Sequence, residues 1–157
     1  MSKRLEIDYA GVHFKNPVAL ASGTCGFGKE MGEYFDIQRL GGLCSKGLTL
    51  HPRGGNDGIR VWETPSGVMN SVGLENPGVK HFMECDCDRM NRLDLVNIVN
   101  LGGHSMEDYL EAVELLNGCD LDLLELTISC PNVKAGGMNY GVKTEMARQV
   151  VREIRKA

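Results

Sequence analysis

"LVNIVNLGGHSMEDYLEAVELLNGCDLDLLELTIS", residues 95–129, decides the fold. "LVNIVNLGG" (95–103) is a nearly unbroken apolar run closed by glycines, the pattern of a strand buried on both faces. "SMEDYLEAVELLNG" (105–118) reads as an amphipathic helix. Ser105 and Asp108 form a capping-box pattern with Asp in place of Glu, and Gly118 closes the helix. "LDLLELTIS" (121–129) is the next buried strand. Two strands joined by a helix lie parallel in one sheet, because the crossover returns the chain to the same end.

The same unit recurs outward from this stretch. "NPVALASG" (16–23) reads as a first strand and "YFDIQRLGG" (34–42) as a helix stopped by glycine. "LCSKGLTL" (43–50) reads as a second strand, and "NPGVKHFMECDCDRMNRL" (76–93) as a second helix opened by proline. "TEMARQVVREIRK" (144–156) is a fourth helix, with Thr144 as its expected cap. "LEIDYAGVHFKNP" (5–17) alternates like a short hairpin and is expected as a plug under the sheet. Residues 51–76 are too long for a simple connection and are expected as a functional loop over one end. The expectation is an α/β fold of four βα units after a hairpin, the N-terminal half of a (β/α)₈ barrel. Residues 1–157 would be a single partial domain, with the C-terminal half absent. Unpaired sheet edges would favour a homo-oligomer.

The bulk numbers narrow the function classes. The chain of 157 residues is 42% hydrophobic and 24% charged, with a net charge of −4, which argues against a nucleic-acid or anionic-membrane partner. No apolar run approaches the roughly 18–20 residues of a membrane span, and "MSKRLEIDYAG" lacks a signal-peptide core, so a cytoplasmic protein is expected. The six cysteines, at 25, 44, 85, 87, 119 and 130, are too scattered for a disulfide scaffold and are expected as free thiols. "ECDCD" lacks the second pair of a zinc site, so no metal is expected.

In a parallel barrel the C-terminal strand ends converge on one mouth, where sites of this architecture lie. Collected there are "ASGT" (21–24), "SKG" (45–47), "NSVGLENPG" (70–78), Asn100, Thr127, Cys130 and Asn132. The ordered motifs "NPVALASGT", "SKGLTLHPR", "ETPSGVMNSVGLENPG" and "ISCPNVKAGG" resemble the N-terminal half of a class 1 dihydroorotate dehydrogenase catalytic subunit. "CPNVKAGG" resembles the type linked to NAD.

The resemblance implies an FMN-dependent TIM-barrel enzyme that oxidises dihydroorotate to orotate in pyrimidine synthesis. It also implies a partner subunit carrying FAD and an iron–sulfur cluster that passes electrons to NAD. Cys130 resembles the family's catalytic base, a role a thiol can fill at neutral pH when its surroundings favour the thiolate. Lys46 resembles the lysine beside flavin and substrate, where a fixed cation stabilises charge on the reduced ring. Asn70, Ser71, Val72, Gly73 and Leu74 match the orotate loop, and Asn132 resembles a substrate amide. Ser22, Gly47 and Asn100 resemble flavin contacts, although tight turns alone account nearly as well for Ser22 and Gly47. Thr127 departs from the pattern, standing where the family usually has an asparagine that contacts both flavin and substrate. Two other readings remain open at this stage: a related flavin oxidoreductase acting on another pyrimidine, and a non-catalytic half-barrel serving as a binding or assembly module.

Overall fold

The structure, a computed structural model, describes residues 5–128 and 137–157, the latter without the side chains of 137–139. It opens with an antiparallel hairpin of β1 (Ile7–Tyr9) and β2 (Val12–Phe14). Ala10 and Gly11 turn it at φ 51° and 82°, as a two-residue loop with the right-handed twist of its strands requires. Phe14 is buried so tightly under the sheet that a Cβ on Gly42 would lie 3.1 Å from its ring. Lys15 pairs with the Asp94 carboxylate at 3.0 Å, just before the third strand of the sheet. The hairpin expected from the alternation in 5–17 is present, with Phe14 as its buried anchor while β1 is exposed along its length.

The main sheet holds β3 (Ala19–Leu20), β4 (Gly42–Cys44), β7 (Val96–Gly102) and β8 (Leu123–Thr127), in that order and all parallel. Sequential parallel strands lying side by side are the arrangement of a (β/α)₈ barrel, and these are four of its units. Register places Cys44 beside Ile98 and Asn100 beside Glu125. Side chains alternate between faces, so Cys44, Asn100, Glu125 and Thr127 share the concave face. Leu43, Val99 and Leu101 turn to the other face. There they join one buried cluster with Val79 and Phe82 of α1 (Val79–Cys85), Tyr109 and Ala112 of α3 (Met106–Leu116), and Val150 of α5 (Thr144–Ile154).

Several expectations are corrected locally. The helix predicted over 34–42 is only a 3₁₀ turn at Ile37–Arg39. Leu40 is already extended, and a Cβ on Gly41 would fall 1.8 Å from the Asn16 carbonyl oxygen, so the chain must straighten into β4 at once. The helix of 76–93 is two pieces, α1 and α2 (Cys87–Asn91), divided at Asp86, whose carboxylate takes Arg89 at 2.6 Å. Thr144 is the first helical residue of α5 and not its cap, because Lys143 before it is extended. The long loop holds a second hairpin, β5 (Val61–Thr64) with β6 (Gly67–Asn70), and a short helix α4 (Gly137–Val142) precedes α5. The free-thiol expectation fails at Cys87 and Cys119, which form a disulfide across Cα atoms 6.2 Å apart. Packing of α1 on α3 carries α2, which follows α1, beside the turn after α3, a proximity that the 32-residue separation of the two cysteines conceals.

Candidate active site

The C-terminal ends of β4, β7 and β8, where the site is expected, lie side by side. After β4 the chain keeps following β7: the Ser45 N–H donates to the Ile98 carbonyl at 2.8 Å and the Leu48 N–H to that of Asn100 at 2.9 Å. Lys46 lies in this pinned segment, with its own N–H on the Gly26 carbonyl at 2.7 Å. Half-buried Lys46 makes no ion pair among the described residues. Ser45 is fully buried, and its hydroxyl accepts the Asn100 N–H at 3.0 Å, tying the two strand ends together.

Asn100 is the centre of the site. Only 4% exposed, it sends Nδ2 to Glu125 Oε1, while its Oδ1 accepts the Thr127 hydroxyl at 2.7 Å. The Cys44 thiol donates to the same Glu125 oxygen at 3.3 Å. Burial first, and then the Glu125 carboxylate, push the Cys44 thiol up to about 12, so it remains a donor. The nearby Ser22 backbone opposes part of this rise, which sets the chain just after β3 at the edge of the cluster. Tyr109, buried in α3, donates its hydroxyl to the Thr127 carbonyl at 2.7 Å and fixes the end of β8 from the opposite face.

The long loop folds over these ends. Leu74, at the left-handed φ of 57°, packs between the second and third strand ends: a Cβ on Gly47 would meet it at 2.8 Å and one on Gly102 at 3.4 Å. Asn76 holds it there. This buried side chain accepts from the Thr49 N–H at 3.1 Å and the Gly78 N–H at 2.9 Å, and donates to the Leu74 carbonyl at 2.8 Å. Arg53 reaches the Gly73 carbonyl at 3.3 Å and contacts His104, whose N–H is held by Asp108 at 3.0 Å. Ser71 and Val72 bind Asn56 through their carbonyls at 3.0 Å, which shapes the turn at Gly73.

Lys46, Gly47, Leu74, Asn100 and Thr127 are therefore brought together, with Ser22 beside them. Asn70 is not: it ends β6, exposed and paired in register with Val61. Cys130 and Asn132 lie outside the described residues. Sequence reasoning missed Glu125, Cys44 and Tyr109. A lone acid in an otherwise apolar strand was the available signal for Glu125, since a charge at such a position needs partners.

Comparison with known proteins matches a family model described as dihydroorotate dehydrogenase over residues 4–157. A Petrotoga mobilis protein named dihydroorotate dehydrogenase B (NAD(+)), catalytic subunit, is 52% identical over 96% of this chain and 50% of its own length. One of the same name from Bacteroides thetaiotaomicron is 46% identical over 98% of this chain and 51% of its own. The chain thus spans about half the length of these relatives. Among solved structures, DHODH from Eimeria tenella in complex with ferulenol superposes with a TM-score of 0.77 at 23% identity, over 97% of this chain and 43% of that one.

Proposed function

The chain belongs to the dihydroorotate dehydrogenase family, and on that premise we propose that it contributes one wall of a flavin site in which dihydroorotate is oxidised to orotate. The observation that carries the reading is the meeting of Lys46, Gly47, Asn100 and Thr127 at adjacent C-terminal strand ends, under a loop tip pinned by Asn76. The donor set suits FMN: a half-buried cation without a carboxylate partner among the described residues, next to an amide whose Nδ2 keeps a second hydrogen, fits the polar edge of a flavin ring. Bound there, the flavin supplies the hydride acceptor.

Lys46 holds positive charge where negative charge develops, without reorganising during the reaction. Gly47, lacking a Cβ, leaves room for the Leu74 methyl and the Asn100 oxygen to close over the strand end, and the Leu74 side chain keeps water from it. Ser71 to Leu74 and Asn132 are assigned to the substrate, and Cys130 to removal of its ring proton, all from sequence; Asn70, exposed at the end of β6, is assigned to the substrate from sequence against its position here. Relatives named as catalytic subunits support a separate electron-transfer subunit linked to NAD, here proposed to carry FAD and an iron–sulfur cluster. A cytoplasmic location goes with this reading; among the described residues no helix is long and apolar enough to cross a membrane.

Dihydroorotate added anaerobically to the flavin-loaded protein should bleach the flavin absorbance. Cys130→Ala should slow bleaching by about 10²–10⁴-fold while orotate still binds. Undiminished bleaching in that variant would remove Cys130 from the chemistry, and no bleaching in the wild type would remove the activity.

A further inference from the structure

The hydrogen-bond polarity around Asn100 carries a consequence for what the site accepts. A side-chain amide can be turned either way, and its neighbours decide which end is nitrogen. Here one neighbour is the Glu125 carboxylate, an acceptor, so the Asn100 nitrogen must face it. The Asn100 oxygen is thereby turned to Thr127, whose hydroxyl spends its only hydrogen on it at 2.7 Å. The Cys44 thiol, a second donor on the same Glu125 oxygen, holds the carboxylate in place. What Thr127 has left for a ligand at the strand end is lone pairs alone. An asparagine at this position would present both an acceptor and donors.

We propose that Thr127 is a one-sided hydrogen-bond acceptor that selects a ligand ring N–H over a ring carbonyl or ring oxygen, with Glu125 as the positioning residue that sets its polarity through Asn100. The proposal deepens the reading above and rests on it: of the groups on an orotate-like ring, the one against Thr127 is an N–H. A ring acceptor in the same place would meet lone pairs on both sides, and a buried polar site rejects a ligand lacking the group it was built to bond.

The test titrates the flavin-loaded holoenzyme with orotate and with its two near-isosteric analogues in which one ring N–H is replaced by oxygen, and follows the flavin absorbance. In the wild type one analogue should bind about 10-fold or more weakly than orotate. Thr127→Ser, which keeps the hydroxyl, should preserve that ratio. Thr127→Val, equal in size without the hydroxyl, should bring it within about 3-fold by weakening orotate and relieving the lone-pair clash of the analogue. Glu125→Gln, which lets the Asn100 amide turn, should reduce the ratio although Thr127 is intact. A ratio equal in wild type and Thr127→Val, or wild-type binding of both analogues as tight as that of orotate, would overturn the proposal. Failure of the underlying activity looks different: dihydroorotate would leave the flavin oxidised and no ring of the series would bind in any variant, which overturns both together.

Discussion

At the scale of single residues, the mouth is built from side chains that cannot move independently. Asn100 is bonded at both ends of its amide, so it cannot retreat from an intruding atom. A Cβ on Gly47 would stand 2.9 Å from its oxygen and 2.8 Å from the Leu74 methyl. Overpacking of this kind costs about 1–3 kcal/mol, and here it falls on the site rather than the core. Gly47→Ala is therefore expected to fold but to bind flavin roughly 10-fold more weakly, as read by fluorescence titration; unchanged affinity would place the flavin elsewhere. Cys44 gives a prediction in pH. Its thiol is raised by burial and by Glu125 from an ordinary value of 9.0 to about 12, so between those values the folded chain holds a proton that the unfolded chain has lost. Its contribution to stability is complete below pH 9 and is lost as pH rises towards 12. Cys44→Ser, whose hydroxyl does not titrate there, should show a shallower alkaline fall in unfolding free energy in urea titrations. Parallel falls in the two proteins would mean that Cys44 ionises freely.

At the scale of elements, the disulfide between Cys87 and Cys119 ties the start of α2 to the turn after α3. Closing a loop of 32 residues removes entropy from the unfolded chain worth about 3–4 kcal/mol on the chain-entropy account. Cys119→Ser should lower stability by about that amount under oxidising conditions and by much less with dithiothreitol present; equal loss in both would mean that the pair packs without bonding. The cross-link also marks where sequence reading stops. The βαβ stretch of 95–129 was legible because strand burial, the Ser105 cap and the closing glycine agree, and Ser105 does accept the Asp108 N–H at 3.1 Å. The helix expected over 34–42 failed because the close approach of Gly41 to Asn16 is a tertiary fact with no local mark. The hairpin of β5 and β6 was hidden inside a stretch that only its length distinguished. The positions of Lys46, Gly47 and Asn100 followed from counting to strand ends. The Glu125 link did not, because pairing across β7 and β8 depends on a register fixed by the whole sheet.

At the scale of the whole molecule, the main sheet has two edges of unequal character. β3 contributes only Ala19 and Leu20, a short edge that offers little to a partner strand. β8 runs five residues, Leu123–Thr127, with β7 on one side and no strand on the other among the described residues. Its unpaired N–H and C=O groups form a template for another strand, and Cys44, Asn100, Glu125 and Thr127 occupy the concave face beside it. A second adhesive surface is the hairpin of β5 and β6, where Val61, Trp62, Val68 and Met69 are each more than half exposed. A polypeptide of these 157 residues alone is accordingly expected to self-associate. The two surfaces are separable, because Trp62 and Met69 face each other across the hairpin and can be made polar without touching β8. If edge pairing dominates, Trp62→Ser with Met69→Ser should leave the elution volume in size-exclusion chromatography unchanged, since a long open edge contributes backbone hydrogen bonds that side-chain changes on the hairpin do not remove. A monomer produced by that double change would assign the association to the hairpin, and a monomer in the unaltered chain at every concentration would show that the β8 edge is already satisfied.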